Sequence, residues 1–192
     1  MQINFHKYEG TGNDFIILDN RSLSYSSLTT EQIKKLCDRR FGIGADGLMM
    51  LCNKDGYDFE MKYYNADGRE GSMCGNGGRC LAKFAYNLGI HKSEYKFLAV
   101  DGEHEAEIDT DGTVSLKMND VNKVRQFHGD FILNTGSPHY IKMVDDVMNM
   151  DIYQKGRNIR YSKEFEQEGI NVNFTEQLSE ADKIIVRTYE RG

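Results

Sequence analysis

The stretch GTGNDFII (residues 10–17) returns, altered but in register, as NTGSPHYI (residues 134–141). Thr11, Gly12 and Ile17 are matched by Thr135, Gly136 and Ile141. A second pair follows: MKYYN (61–65) lies over VRTYE (186–190), matching Tyr64 with Tyr189 and Asn65 with Glu190. Gly12 to Asn65 spans 53 residues, and Gly136 to Glu190 spans 54. Two segments that agree in spacing as well as identity indicate an internal duplication. The weakly periodic NDVNKVRQ (119–126) marks the junction, so residues 1–120 are assigned to a first half and 121–192 to a second.

Working outward from the repeat, short strand candidates at 3–8 and 14–19 flank a GTGND loop. A helix is predicted over 29–39, opened by a capping box at Thr29 and Gln32. Tyr57, Phe59, Met61 and Tyr63 alternate with Asp58, Glu60 and Lys62, the pattern of a half-buried strand. Residues 103–108 and 113–118 read as a hairpin about Asp111-Gly112. Strand-like runs return near 131–134, 139–145, 170–175 and 183–190, with helical material between 147 and 168. Strands and helices mix without regular βαβ alternation, which gives an α+β class of two pseudo-symmetric mixed halves.

Between the repeated segments lies EGSMCGNGGRCLAKFAYNLG (70–89). Leu81, Phe84, Ala85 and Leu88 form the i, i+3, i+4, i+7 stripe of a helix with one buried face. Gly89 suits the left-handed stop after its last turn. Cys74 thus falls at or just before a helix N-terminus, beside unpaired backbone amides that favour a thiolate. Taken alone, a cysteine before glycines fits a reactive group and a tight-turn thiol equally.

The 192 residues are 39% apolar and 28% charged, enough hydrophobic material for a core. A net charge of −6 argues against nucleic acid or an anionic membrane as partner. No apolar run is long enough to span a bilayer, and MQINFHKYEG lacks the apolar core of a signal peptide, so a cytoplasmic location is expected. The four cysteines, Cys37, Cys52, Cys74 and Cys80, are then expected as thiols. Cys37 and Cys52 read as small core residues. The spacing of Cys74 and Cys80 lacks the second ligand pair of a zinc site, and no metal is expected. GIGADG (42–47) matches a dinucleotide fingerprint in letters only: it follows a helix and precedes a strand, the reverse of the order that motif needs. The glycosylation sequons at Asn20 and Asn173 are expected to be without function.

The segments HKYEGTGNDFI, RRFGIGADG, YYNADGREGSMCGNGGRC, NTGSPHY, NVNF and TYERG, in this order, resemble diaminopimelate epimerases along essentially the whole chain. The MCGNG loop alone is shared with proline racemases; its combination with GTGNDF points to the epimerases. Members of that family are longer and carry a second catalytic cysteine in an A-C-G-T-G loop shortly after an E-R-G segment. The repeat places the counterpart of Cys74 nine residues beyond Glu190, at position 199, so this sequence is expected to stop short of it and, by itself, to lack epimerase activity.

The resemblance implies cofactor-independent epimerisation of LL-2,6-diaminopimelate to the meso form, an isomerase step toward lysine and peptidoglycan. It implies two similar halves facing a cleft, diaminopimelate as the small-molecule partner, and a homodimer as a compatible state. Inversion needs a base on one face of the α-carbon and an acid on the other, roles that two cysteines fill. A helix terminus contributes up to about 2 kcal/mol, or roughly 1.5 pK units, which brings a thiol from about 8.5 to near 7. The rest of the gap to a carbon acid has to come from desolvation and fixed donors.

On the family pattern Cys74 is the catalytic residue. Asn13, Asn65, Gly75, Asn76, Asn173, Glu190 and Arg191 contact substrate, and His139 and Glu190 tune the cysteines. Ser137 stands where many members have asparagine, and Gly47 where some have glutamine. Another cofactor-independent amino-acid racemase is the nearest alternative. A non-catalytic amino-acid-binding remnant, lacking the second cysteine, is the alternative outside enzymes.

Overall fold

A computed structural model describes residues 2–180 and 182–190. The chain forms two compact units, Met1–Met118 and Asn119–Gly192. The first holds a seven-stranded sheet whose strands lie side by side in chain order. They are β1 (His6–Gly10), β2 (Asn13–Asp19), β3 (Gly47–Cys52), β4 (Phe59–Asn65), β5 (Glu94–Ala99), β6 (Gly102–Ile108) and β7 (Val114–Leu116).

Helices cover both faces of this sheet. In β2, Phe15 and Ile17 point into one core while Ile16 and Leu18 point into another, and in β3 Met49 and Leu51 separate in the same way from Leu48 and Met50. Helix α2 (Gly75–Asn87) closes the first core with Leu81, Phe84 and Ala85. Helix α1 (Thr30–Cys37) closes the second with Ile33 and Cys37. This double cover explains why LMMLC is apolar without a break: every residue of β3 is buried. The capping box at Thr29 and Gln32 is formed as the sequence predicts.

The second unit is a five-stranded sheet in the order β12-β11-β10-β9-β8. Its strands are β8 (Arg125–Phe127), β9 (Asp130–Asn134), β10 (Pro138–Met143), β11 (Asn171–Gln177) and β12 (Ile184–Tyr189). Helix α3 (Ile152–Arg160) packs on it, and Tyr140, Val147, Ile152, Val172 and Phe174 form the core.

The duplication is visible in the strand pairing. In the first unit β1 pairs antiparallel with β2, β2 parallel with β3, and β3 antiparallel with β4. In the second, β9, β10, β11 and β12 repeat these relations. The registers correspond too: Phe15 pairs with Gly47 where His139 pairs with Asn171. Gly12 and Gly136 both sit in the hairpin turns, with φ of 82° and 106°, a conformation natural only to glycine.

Three details differ from the sequence reading. The GTGND segment is a two-residue turn, Thr11-Gly12, not a loop, so the ladder runs to Gly10 and Asn13 and β1 lies at His6–Gly10 rather than 3–8. Ile3 leaves the sheet and packs on the core beneath α1. Strand β5 was not anticipated, and β8 begins within the weakly periodic stretch 119–126. The order α1, GIGADG, β3 excludes a dinucleotide fingerprint at 42–47. Asn20 and Asn173 are buried, so neither sequon is presented to solvent. Among the described residues no helix is long and apolar enough to cross a membrane, and no group of three His, Cys, Asp or Glu is placed to hold a metal.

Candidate functional site

Strand polarity gathers the candidates of the first unit. Strands β2 and β3 run parallel, and their N-terminal ends lie together, so Asn13 starts one and Gly47 the other. Strand β4 runs the opposite way and ends on Asn65, directly across from Gly47. The chain then doubles back along β4, with Gly71 N donating to Tyr63 O, and enters α2. Asn13, Asn65 and the start of α2 therefore share one end of the sheet.

Cys74 is the N-cap of α2, in an extended conformation (φ −115°, ψ 118°), and its side chain makes no capping bond to the helix. Gly78 N donates to Cys74 O, which closes the first turn. The amides of Gly75, Asn76 and Gly77 precede that bond and have no intrahelical acceptor. No acidic residue occupies the first turn. The result is a donor cluster at the positive end of a 13-residue helix, with a thiol at its mouth.

The glycines after Cys74 form neither a tight turn nor an open loop. They lie inside the helix, and Gly77 and Gly78 are buried. A Cβ on Gly77 would lie 2.9 Å from Met49 Sδ, and one on Gly78 would lie 3.1 Å from a Leu116 methyl. Gly75 is open, its nearest neighbour being Met118 Sδ at 3.5 Å. The close approach of α2 to the sheet is what demands glycine at 77 and 78.

Around the thiol, Cys74 Sγ lies 3.7 Å from Asn13 Oδ1, a long contact within reach of a sulfur donor. Asn13 Nδ2 donates to Asp46 Oδ2 at 2.7 Å. Arg39 Nη2 bridges Asp46 Oδ1 and Asp14 Oδ1, each at 2.7 Å, and Lys7 Nζ donates to Asp14 Oδ2 at 2.6 Å. Arg39 and Lys7 hold the Asp14 carboxyl well below the usual carboxylate range. On the other side of the cap, Arg79 Nη2 donates to Asn76 Oδ1 and to Thr11 Oγ1.

The other cysteines are different in kind. Burial pushes the Cys37 and Cys80 thiols up to about 11 and also raises Cys52. Cys74 alone of the four is half-buried rather than buried.

In the second unit, His139 and Asn173 are brought together. Asn173 Nδ2 lies 3.0 Å from His139 Nδ1 and also donates to the carbonyls of Tyr140 and Asn171. Those carbonyls and Thr188 Oγ1 fix Nδ2 as the donor end of the amide, and this end faces His139 Nδ1. Asn173 Oδ1 accepts from Thr188 Oγ1 at 2.9 Å, so both ends of this amide are engaged within the unit. Glu190 is exposed just past β12, and the repeat matches it with Asn65, the last residue of β4. Ser137 and Asn171 occupy the places of Asn13 and Gly47. Arg191 lies outside the described residues.

Sequence reasoning missed Asp46, Arg39 and Arg79. The first two stand in RRFGIGADG, whose glycines drew attention to nucleotide binding. Gly44 (φ 80°) instead folds the chain back on α1, with Ile43 N and Gly44 N donating to Leu36 O.

Solved structures share this architecture at low identity. The Bacillus anthracis phenazine biosynthesis protein of the PhzF family superposes with a TM-score of 0.71 at 16% identity, covering 98% of this chain and 72% of that one. A hydroxyproline epimerase from Agrobacterium vitis gives 0.61 at 12% identity, covering 96% and 68%. The protein thus has the duplicated two-sheet α+β fold of these proteins.

Sequence relationships narrow this further. The family model for diaminopimelate epimerase matches residues 5–124. The diaminopimelate epimerase of Flavobacterium psychrophilum is 49% identical over 187 residues, 97% of this chain and 73% of the relative. That of Chlorobaculum tepidum is 43% identical, covering 95% of this chain and 73% of the relative. The chain belongs to the diaminopimelate epimerase family.

Proposed function

We propose that this chain carries part of the proton-transfer chemistry of a cofactor-independent epimerase, the class of enzyme that converts LL-2,6-diaminopimelate to the meso form, with Cys74 as the group serving one face of the α-carbon. One observation carries the reading: in a member of this family, Cys74 caps α2 beside three amides without helical acceptors, with Asn13 against its sulfur.

The amides of Gly75 and Asn76 receive the carboxylate next to the reacting carbon. Where Cys74 stands as thiolate it takes the α-proton and becomes a thiol; where it stands as thiol it gives its proton to the carbanion; in both cases negative charge develops on that carboxylate. Donors already fixed at a helix N-terminus meet this charge without having to reorganise. In the reverse sense the thiol returns the proton. Asn65 at the end of β4 and Asn76 supply further polar contacts. Asn173, Glu190 and Arg191 are taken from the family pattern as further substrate contacts, with His139 and Glu190 tuning the acid–base groups. For Asn173 to donate to substrate, its NH2 has to give up one of its present hydrogen bonds. A two-cysteine inversion assigns the opposite face to another thiol. All four cysteines of this sequence lie between positions 37 and 80, so Cys74 is the one on which the reading rests here. The setting is the cytoplasmic supply of lysine and peptidoglycan precursors.

The test is exchange of the α-hydrogen in deuterated water, followed by NMR, for diaminopimelate, lysine and proline in parallel. A site with polar groups for both ends of diaminopimelate rejects ligands lacking the distal group strongly. Exchange confined to diaminopimelate supports the reading. Comparable exchange of proline would favour a proline-type racemase.

A further inference from the structure

Asp46 lies against Asn13 in a way that fixes which end of the Asn13 amide faces Cys74. Asp46 Oδ2 accepts from Asn13 Nδ2 at 2.7 Å and from the Asp14 amide at 3.1 Å. An ionised carboxylate offers acceptors only, so the Asn13 amide has to present its nitrogen to Asp46 and its oxygen to Cys74 Sγ, 3.7 Å away. The carboxylate is itself pinned. Its other oxygen receives Arg39 Nη2, which is also bonded to Asp14, and Asp46 N donates to Asp14 O at 3.0 Å. A carbonyl oxygen can receive a proton from a thiol and repels a thiolate. An amide NH2 in the same place would do the opposite.

We propose that Asp46 is a positioning residue that acts on Cys74 through Asn13: by locking the Asn13 oxygen toward the sulfur, it holds Cys74 in the protonated, proton-donating form in the resting site. This deepens the proposed function, since it says which partner of the acid–base pair Cys74 is when substrate arrives. The positive end of α2 favours the thiolate, and the locked Asn13 oxygen opposes it. Balanced in this way, Cys74 can exchange roles at modest cost, as a reversible proton transfer requires. The two arginines take complementary parts. Arg39 anchors the residue that turns an oxygen toward the thiol. Arg79 holds the Asn76 oxygen and so leaves the Asn76 NH2 free to turn elsewhere.

The test is a double-mutant cycle read by the pH profile of Cys74 alkylation, with labelling followed by peptide mass spectrometry. Asp46→Ala frees the Asn13 amide to rotate and donate to the thiolate. The midpoint of the profile is expected to fall by about one pH unit, the size of a single net hydrogen bond. In an Asn13→Ala background the same Asp46→Ala change is expected to move nothing, because the relay is gone. An unshifted Asp46→Ala profile, or a shift that persists without Asn13, overturns the proposal.

If Asp46→Ala does not fold, the infrared S–H band of the wild-type protein that disappears in Cys74→Ala decides. A hydrogen-bonded frequency supports the assignment, and the frequency of an unbonded thiol refutes it. Alkylation needs no substrate, so this result stands apart from α-hydrogen exchange: either proposal can fail while the other holds.

Discussion

Arg79 Nη2 donates to Asn76 Oδ1 at 2.5 Å and to Thr11 Oγ1 at 3.2 Å, which ties the first turn of α2 to the β1–β2 hairpin. With its oxygen held by the guanidinium, Asn76 has its NH2 to offer a ligand at the helix end. Arg79→Met keeps much of the apolar stem but releases that oxygen. Diaminopimelate binding, measured by titration calorimetry, is expected to weaken roughly tenfold, the loss of one hydrogen bond to a charged group. Unchanged affinity would remove Asn76 from the binding surface.

Thiol reactivity should follow burial. Near neutral pH, a small alkylating agent is expected to label Cys74 before Cys37, Cys52 and Cys80, whose thiols burial holds protonated. Site-resolved labelling by mass spectrometry checks the order. Faster modification of Cys37 or Cys80 in folded protein would contradict the placement of Cys74.

The same burial makes stability fall in alkali. Cys37 and Cys80 are raised from 9.0 to about 11, so each favours the folded state fully below pH 9. As pH rises from 9 toward 11, the unfolded chain releases these protons first and that stabilisation is lost. The scale is up to about 3 kcal/mol per thiol, from the linkage of pKa to folding. Urea melts of the wild type at pH 8 and pH 10.5 should show the loss, and Cys80→Ala should flatten it. Tyr140, raised by burial and by the neighbouring Asp130 carboxylate, adds to the trend in the second unit.

Two glycine substitutions should separate packing from helix propensity. A Cβ at Gly47 would lie 2.5 Å from the Tyr63 ring and 2.6 Å from Tyr64 O, so Gly47→Ala is expected to cost about 1–3 kcal/mol by overpacking. Gly75→Ala meets nothing nearer than Met118 Sδ at 3.5 Å and should fold at least as well as the wild type. Denaturant melts of the two variants side by side decide. Equal stability would contradict the tight seating of β3 against β4.

What could be read in advance was local or repeated. The stripe Leu81, Phe84, Ala85 placed α2 on its core, and Thr29 with Gln32 located the start of α1. The repeat anticipated two similar halves, and both units keep the same strand pairing. Strand β5 also carries a signal, since Tyr95, Phe97 and Ala99 are buried between exposed Glu94 and Lys96, but it was overlooked beside the stronger helix. The network behind Asn13 was not legible. It joins Lys7, Asp14, Arg39 and Asp46, and only the fold-back of the chain after α1 makes them neighbours. The seating of Gly77 and Gly78 was hidden for a similar reason, because Met49 and Leu116 come from distant strands.

The most direct test of the central claim is the α-hydrogen exchange of diaminopimelate with and without the Cys74 sulfur. Cys74→Ala removes the thiol from the cap of α2 and leaves the amides of Gly75 and Asn76 in place. The account predicts that the variant keeps its fold and still binds diaminopimelate, while exchange into deuterated water drops to the uncatalysed rate. Exchange by Cys74→Ala at the wild-type rate would show that the proton passes through another group.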